Sequence, residues 1–171
     1  MTEPVFRFAR VEDVPILASY RLRMFQEMDA NEGKNYDPHE LAELEAVFSQ
    51  HALPRMDSEE LVAWVVEMEG QVAACAAVSV LPTVPAPGRM EMRWALLHNV
   101  YTLPEFRGRG LARRLVEMAA DWCRQKGFGS LALNASAAGR PLYESMGFKP
   151  TNQMAMKLSP RQKEEVQASP G

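Results

Sequence analysis

The sequence predicts a single α/β (α+β) domain, in which helices pack on a mixed, mostly antiparallel β-sheet. Its length of 171 residues suits one domain. Strand-like and helix-like patterns alternate along it in the order β-α-α-β-β-β-α-β-α-β. Residues 93–134 have the pattern of a strand, a turn, a helix and a second strand. Such a crossover unit makes its two strands parallel.

The element limits follow from apolar periodicity and from turn residues. Strands are predicted at 5–8, 61–68, 72–81, 93–102, 130–134 and 153–158, and helices from Asp13, from Asp37 to about His51, and over 111–126 and 137–146. Asp37-Pro38 is a typical helix start, because Asp caps the free N–H groups and Pro suits the first helical position. Pro54 is expected to stop that helix. Residues 1–158 should form the domain, and residues 159–171, which lack apolar periodicity, a flexible tail.

The composition excludes several classes of function. With 19 basic and 22 acidic residues, the net charge of −3 gives no field that would recruit nucleic acid or an anionic membrane. The longest apolar runs fall far short of the roughly 20 residues that a membrane helix needs. No basic segment followed by an apolar run opens the chain, so we expect a cytoplasmic protein. Cys75 and Cys123 stand far apart, which predicts buried free thiols, no disulfide framework and no metal site.

The most informative segment is a glycine-containing turn between a strand and a helix. Gly108 and Gly110 would let an anion approach the free N–H groups of the first helical turn, and Arg107 and Arg109 would add positive charge. A pyrophosphate is the natural ligand for such a turn. The same residues are also compatible with a tight turn and a solvated basic face. The nucleotide-triphosphate loop and the dinucleotide fingerprint are both excluded, because Leu111-Ala112 and Arg113 occupy positions that those motifs reserve for other residues.

Two motifs together resemble one family. The stretch 107–112 (Arg-Gly-Arg-Gly-Leu-Ala) resembles the Arg/Gln-x-x-Gly-x-Gly/Ala signature of the GNAT superfamily of acetyl-CoA-dependent acyltransferases. The stretch 133–148, ending in Leu-Tyr-Glu-Ser-Met-Gly-Phe, resembles the closing motif of the same superfamily. The resemblance covers roughly residues 5–158. It implies a GNAT-like sheet with a splayed, central parallel pair of strands and helices on both faces.

The resemblance assigns cofactor-binding residues. The strand end formed by Val100, Tyr101 and Thr102 would pair through its backbone with the pantetheine arm of acetyl-CoA. Asn134 would meet the pantetheine amide from the other side, and Ser136 is assigned to the cofactor as well. The pyrophosphate would be held by the turn residues Arg107, Gly108, Arg109, Gly110, Leu111 and Ala112.

The resemblance also implies a reaction, the direct attack of an amine on the thioester. Tyr143 would lie next to the cofactor and protonate the leaving thiolate, although a packing role is the alternative. The family often places a carboxylate base on the fourth strand, and this strand has none. His98 and Glu91 are therefore the candidates for the base, together with a substrate amine that is already deprotonated.

The acceptor pocket should be formed by the first two helices and the loop after the third strand. We expect a small-molecule or amino-acid-like amine as the acceptor, with no nucleic acid and no membrane as partner. Two alternatives stay open: a non-catalytic domain that binds or senses acyl-CoA, and an acetyltransferase acting on proteins. Assembly into a homodimer is also left open.

Overall fold

The computed structural model describes residues 3–87 and 90–156. The strands are β1 (Val5–Phe8), β2 (Leu61–Met68), β3 (Gln71–Pro82), β4 (Arg93–Thr102) and β5 (Leu131–Leu133). The α-helices are α1 (Val14–Glu32), α2 (Pro38–Asp57), α3 (Leu111–Gln125) and α4 (Arg140–Ser145), and two 3₁₀ helices span Val11–Asp13 and Pro104–Phe106. The predicted tail, residues 159–171, lies outside the described residues.

The five strands form one mixed sheet in the order β1-β2-β3-β4-β5. The first three neighbouring pairs are antiparallel, and β4 and β5 are parallel. This arrangement confirms the predicted fold class and the crossover through α3. Within the described residues the parallel pair lies at one edge of the sheet rather than at its centre, because no further strand follows β5.

The middle of the sheet is buried on both faces. Residues 73–78 of β3 are all buried, and successive side chains of a strand point to opposite faces. The run contains four alanines, whose small side chains allow helices to approach the sheet closely from either side. Cys75 and Cys123 are buried free thiols, as predicted.

Helices α1 and α3 cover opposite faces. Tyr101 pairs with Cys75 and its ring contacts α1, whereas Trp64 pairs with Ala76 and its ring contacts Trp122 of α3. Because Cys75 and Ala76 are neighbours in one strand, their side chains lie on opposite faces. Helix α2 packs against α1 and β2, on the face covered by α1. The cavity described below is bounded by these two helices.

A β-bulge interrupts β4 at Asn99. Between the partners of Ala77 and Cys75, β4 contains one more residue than β3 does. Asn99 takes the left-handed conformation there, with φ of 56°. Its side-chain amide is buried and donates a hydrogen bond to the carbonyl oxygen of Leu17 in α1, at 3.0 Å. The bulge therefore fixes α1 against the part of β4 that extends past β5.

The predicted end of the second helix was wrong, although its start was right. Asp37 caps α2 by accepting a hydrogen bond from the His39 N–H at 2.8 Å, but the helix continues through Pro54 to Asp57. Proline removes one N–H from the last turn, and tertiary packing compensates for that loss. Ala52 before the proline is fully buried, and Met56 after it packs on the core.

The predicted last strand, 153–158, does not form within the described residues. Residues 151–156 have no regular secondary structure, and residues 157–158 lie outside the described range. A strand needs a hydrogen-bonded neighbour, and apolar alternation in the sequence does not provide one. Met154 and Met156, which produced the pattern, are 95% and 81% exposed.

Two substitutions at the bulge distinguish the stability that the Asn99 side chain contributes from the cost of its left-handed backbone conformation. Asn99→Ala and Asn99→Gly both remove the hydrogen bond to Leu17, and both should lower the free energy of unfolding by about 1–3 kcal/mol. Only alanine must then hold a Cβ at positive φ, so the glycine variant should be more stable than the alanine variant by about 1 kcal/mol. Urea unfolding measures the free energy of unfolding of both variants. An alanine variant equal to or more stable than the glycine variant would show that residue 99 does not hold this conformation in solution.

Candidate active site

A cavity of about 920 Å³ opens where β4 and β5 separate. The two strands are paired only from Ala95 to Leu97 on β4, opposite Leu131 to Leu133 on β5. Among the described residues, no strand pairs with this edge of β4 between Leu97 and Thr102. Helices α1 and α2 and the segment from β5 to α4 complete the walls of the cavity.

The cavity leads to the glycine turn, where a second cavity of about 240 Å³ lies over the start of α3. Gly108 and Gly110 have φ of 75° and 76°, and no atom lies within 4 Å of the position that a Cβ would take on either. The helical hydrogen bond nearest the turn runs from the Arg114 N–H to the Gly110 oxygen, and no side chain caps the helix. The N–H groups of residues 111–113 therefore have no acceptor within the helix.

Most of the predicted cofactor residues are brought together at these two cavities. Their walls include Val100, Tyr101, Thr102, Arg107, Gly108, Gly110, Leu111, Ala112, Asn134, Ser136 and Tyr143. Arg109 lies outside both, and its guanidinium packs on the Phe106 ring at 5.1 Å from the ring centroid. Ser136 also shapes the local backbone, because its hydroxyl accepts a hydrogen bond from the Gly139 N–H at 3.1 Å.

Arg107 is already paired with a carboxylate. Its guanidinium contacts Glu27 of α1 at 2.6 Å and donates to the carbonyl oxygen of Thr102 at 2.9 Å. Glu27 also accepts a hydrogen bond from the Tyr101 hydroxyl at 2.7 Å. Burial, followed by this carboxylate, raises the pKa of Tyr101 to about 12, so the phenol stays protonated. Glu27 thus connects α1 to the glycine turn, a role that sequence reasoning did not assign.

Tyr143 lies on α4 and lines the large cavity. Its ring packs on Gly139, where an added Cβ would come within 3.0 Å of Cε2, and edge-on against Phe148. Its hydroxyl makes no hydrogen bond with any residue that the structure describes. Burial raises the pKa of Tyr143, so the phenol is a proton donor at neutral pH. A larger residue at position 139 would thus press on the ring of Tyr143.

His98 also lines the cavity, in an environment that the sequence did not predict. Its Nε2 lies 2.7 Å from the Ser79 hydroxyl, and its buried Nδ1 has no hydrogen-bond partner among the described residues. Burial, with smaller effects from Arg21 and His51, lowers the pKa of His98 to about 3. The cause is that imidazolium loses its hydration when buried. A neutral ring of such low basicity is a poor general base.

Glu91 is separated from the cavity. It precedes β4, at the opposite end of that strand from the bulge, and its carboxylate lies 3.5 Å from where a Cβ on Gly129 would be. It is not among the residues that line either cavity. The loop after β3, in its described residues 83–87 and 90–92, does not line them either. Helices α1 and α2 do line the large cavity.

A second carboxylate on α1 also holds a cavity wall. Glu32 accepts a hydrogen bond from the Ala137 N–H at 2.9 Å and pairs with Lys34 at 3.2 Å. It therefore joins the end of α1 to the segment that carries Asn134 and Ser136. The helical pattern placed Glu27 and Glu32 on α1, but apart from Lys34 the partners named here lie more than 70 residues away in sequence. No local signal could have identified these contacts.

The comparison with known families identifies the family to which the chain belongs. The profile described as "Acetyltransferase (GNAT) family" matches residues 22–148, which include residues 22–32 of α1, the whole open edge of β4, the turn and α4. The chain belongs to the GNAT family of acetyltransferases. It is accordingly an acyltransferase of the N-acetyltransferase type.

Individual GNAT proteins resemble the chain over most of its length. The uncharacterized N-acetyltransferase YjgM of Escherichia coli (strain K12) is 33% identical over 154 residues, which are 85% of this chain and 82% of that protein. A GCN5-related N-acetyltransferase from Ralstonia eutropha JMP134 superposes with a TM-score of 0.82 at 26% identity, over 91% of this chain and 99% of that one. A predicted acetyltransferase from Clostridium acetobutylicum, solved with acetyl-CoA, has a TM-score of 0.79 at 24% identity over 92% and 96%.

Two negative findings apply to residues 3–87 and 90–156 only. No helix there is long and apolar enough to span a membrane. No group of three or more His, Cys, Asp and Glu side chains is arranged to hold a metal ion.

Proposed function

We propose that the protein transfers the acetyl group of acetyl-CoA to the amine of a small-molecule or amino-acid-like acceptor. The observation that carries the proposal is the open edge of β4, which leads from the splay at Leu97 to Thr102 and, after a short 3₁₀ helix, to the uncapped turn at 107–112. An extended arm that ends in a pyrophosphate would find unpaired backbone groups along its whole length. The similarly folded protein from Clostridium acetobutylicum was solved with acetyl-CoA. Location in the cytoplasm stays a prediction from the sequence.

The residues at the site fit the chemistry of acetyl-CoA. The buried hydroxyl oxygen of Thr102 has no hydrogen-bond partner among the described residues, at a point where both cavities meet. A pantetheine arm has amide groups that could satisfy both this hydroxyl and the free strand edge. The space over Gly108 and Gly110 leaves room for phosphate oxygens against the N–H groups of α3. Bound acetyl-CoA would supply an activated thioester carbonyl.

Tyr143 is the proton donor that we assign to the leaving thiolate. Its hydroxyl has no competing acceptor among the described residues, and its raised pKa keeps the proton on oxygen at neutral pH. The ring is fixed by Gly139 on one side and Phe148 on the other, so the donor is held in one place. A positioned acid of this kind typically contributes about 10²–10⁴-fold in rate.

We infer that the acceptor amine reaches the site already deprotonated. His98 has too low a pKa to accept its proton, and the two carboxylates of the cavity wall, Glu27 and Glu32, are both engaged in ion pairs. Rate enhancement would then come mainly from holding the amine and the thioester together, with the proton leaving through water. The low pKa of His98 is also the observation that favours the second candidate function, a domain that binds acyl-CoA without catalysis.

Turnover with a panel of amines tests the function. Free thiol should be released from acetyl-CoA only when an amine acceptor is present, and the acetylated amine should appear in equal amount. Tight binding of acetyl-CoA without thiol release for any amine would favour the binding domain. Release only with peptide N-termini or lysine side chains would favour an enzyme that acts on proteins.

Gly110 provides a charge test of the phosphate site. Gly110→Asp and Gly110→Asn place side chains of equal size on a left-handed residue, a conformation that both residue types tolerate. Only Asp adds a negative charge next to the pyrophosphate. It should weaken acetyl-CoA binding at least about tenfold relative to Asn. Calorimetry measures the affinities, and the melting temperatures of the two free proteins are the control. Equal affinities would place the pyrophosphate elsewhere.

Tyr143→Phe tests the proton donor. The ring and its contacts remain, so the melting temperature and the affinity for acetyl-CoA should be nearly unchanged, whereas kcat should fall by about 10²-fold or more. Steady-state kinetics across a pH range with the best amine of the panel measures this loss. A variant with the kcat of the wild type at every pH would restrict Tyr143 to packing α4 against the sheet.

A further inference from the structure

Arg21 stands in the wall of the large cavity without a polar partner. It is half-buried on α1, and its guanidinium carbon lies 5.1 Å from the ring centroid of Phe25 and 5.5 Å from that of Phe48. Aromatic faces attract the cation but leave its in-plane N–H groups free. Arg21 makes no hydrogen bond and no ion pair with any residue in the described ranges. Its five N–H donors therefore lack an acceptor from these residues.

The other charged side chains of the cavity wall are balanced. Arg107 pairs with Glu27 at 2.6 Å, and Glu32 pairs with Lys34 at 3.2 Å. Among the described residues, Arg21 is thus the one charged group of this wall without a partner of opposite sign. Burial lowers the pKa of Arg21, and no carboxylate acts to raise it.

The surroundings of Arg21 are positive or neutral. His51 and His98 are the neighbouring titratable groups, and the charge of Arg21 helps to lower the pKa of both. Their rings are neutral at physiological pH, so neither competes with Arg21 for an anion. Taking an unpaired cation out of water is costly, and a bound anion would offset that cost. One guanidinium with no second cation matches the single charge of a carboxylate better than the double charge of a phosphate ester.

This position does not serve the pyrophosphate. Glu27 marks where α1 meets the glycine turn, and Arg21 precedes it by six residues, which is about 9 Å along the axis of a helix. Arg21 instead lines the same cavity as His98, which follows the point where β4 and β5 separate, and its charge acts on that ring. An amine placed at the splay would therefore share this cavity with Arg21.

We propose that Arg21 binds the carboxylate of the acceptor, so that the substrate class is a small amino carboxylic acid. The inference rests on the proposed transfer to an amine and adds to it the group by which the acceptor is recognised. Phe25 and Phe48 hold the guanidinium in place, and its free N–H groups form a two-point contact with the carboxylate oxygens. The amine is then directed towards the separation of β4 and β5.

Binding to the CoA-saturated protein tests this inference without requiring turnover. The probes are the common L-amino acids and linear amino acids of increasing length, each beside its carboxamide, with phosphoethanolamine as a phosphate-bearing amine. At least one acid should bind about 10- to 100-fold more tightly than its carboxamide, as measured by calorimetry. The inference is overturned if no acid in the panel is preferred over its carboxamide, or if phosphoethanolamine binds more tightly than every acid.

Substitutions then test whether Arg21 is responsible. Arg21→Met should remove the preference for the acid, and Arg21→Lys should retain part of it, because lysine keeps the charge but not the two-point geometry. Arg23→Met is the matched control: it removes an equal charge from an exposed position on α1 and should leave the preference intact. A preference that survives Arg21→Met in a folded protein would overturn the assignment. If that variant does not fold, Arg21→Lys is the test instead, and a lysine variant with the full preference of the wild type would overturn the assignment.

The outcomes separate this inference from the proposed function. Thiol release with amines, at equal kcat/KM for acids and carboxamides, would refute the role of Arg21 and leave the transferase standing. Selective binding of acids that depends on Arg21, without acetyl transfer to any of them, would support the carboxylate site and refute the transfer.

Discussion

The site depends on the early separation of two parallel strands. After three paired positions, β4 continues for five residues with one edge unpaired, and in a folded protein such an edge normally finds a partner. The bulge at Asn99 lies in this stretch, and the side chain of Asn99 holds α1 beside it. The walls of the cavity and its connection to the glycine turn both follow from this one departure from regular pairing.

Helix α1 forms the second wall, and three of its charged residues lie at different places along that wall. Near the glycine turn, Glu27 neutralises Arg107 and accepts the Tyr101 hydroxyl, which makes this part of the site rigid and electrically balanced. At the helix end, Glu32 holds the segment between β5 and α4. Further back along the helix, Arg21 is not balanced by any described residue. The proposed acceptor contact therefore lies away from the charged groups that join α1 to the glycine turn and to the segment after β5.

Local patterns in the sequence predicted most of the fold and most of the residues that line the two cavities. Strands β2 and β3, the crossover through α3 and the glycine turn depend on periodicity and on turn residues that act over a few positions, so the residues alone identify them. The last turn of α2 was missed because burial of Ala52 and Met56 outweighs the effect of Pro54. The strand predicted at 153–158 was assigned from alternation alone, without regard to whether a neighbouring strand exists.

The chemistry of the site was less predictable, because it depends on contacts between distant segments. His98 has the right side chain for a base, but its pKa is set by burial among α1, α2 and β3, which no local pattern reveals. The pairing of Arg107 with Glu27 likewise joins residues 80 positions apart. A residue type in a motif thus predicts a binding groove better than it predicts the protonation state of a side chain within that groove.

The claim that the free edge of β4 is the cofactor-binding edge can be tested by hydrogen–deuterium exchange of the backbone amides, with and without acetyl-CoA. Acetyl-CoA should slow exchange at residues 98–102 and 108–113, while the exchange rates of the antiparallel pair β1 and β2 should change little. Slower exchange confined to other segments, with residues 98–113 unaffected by saturating acetyl-CoA, would contradict it.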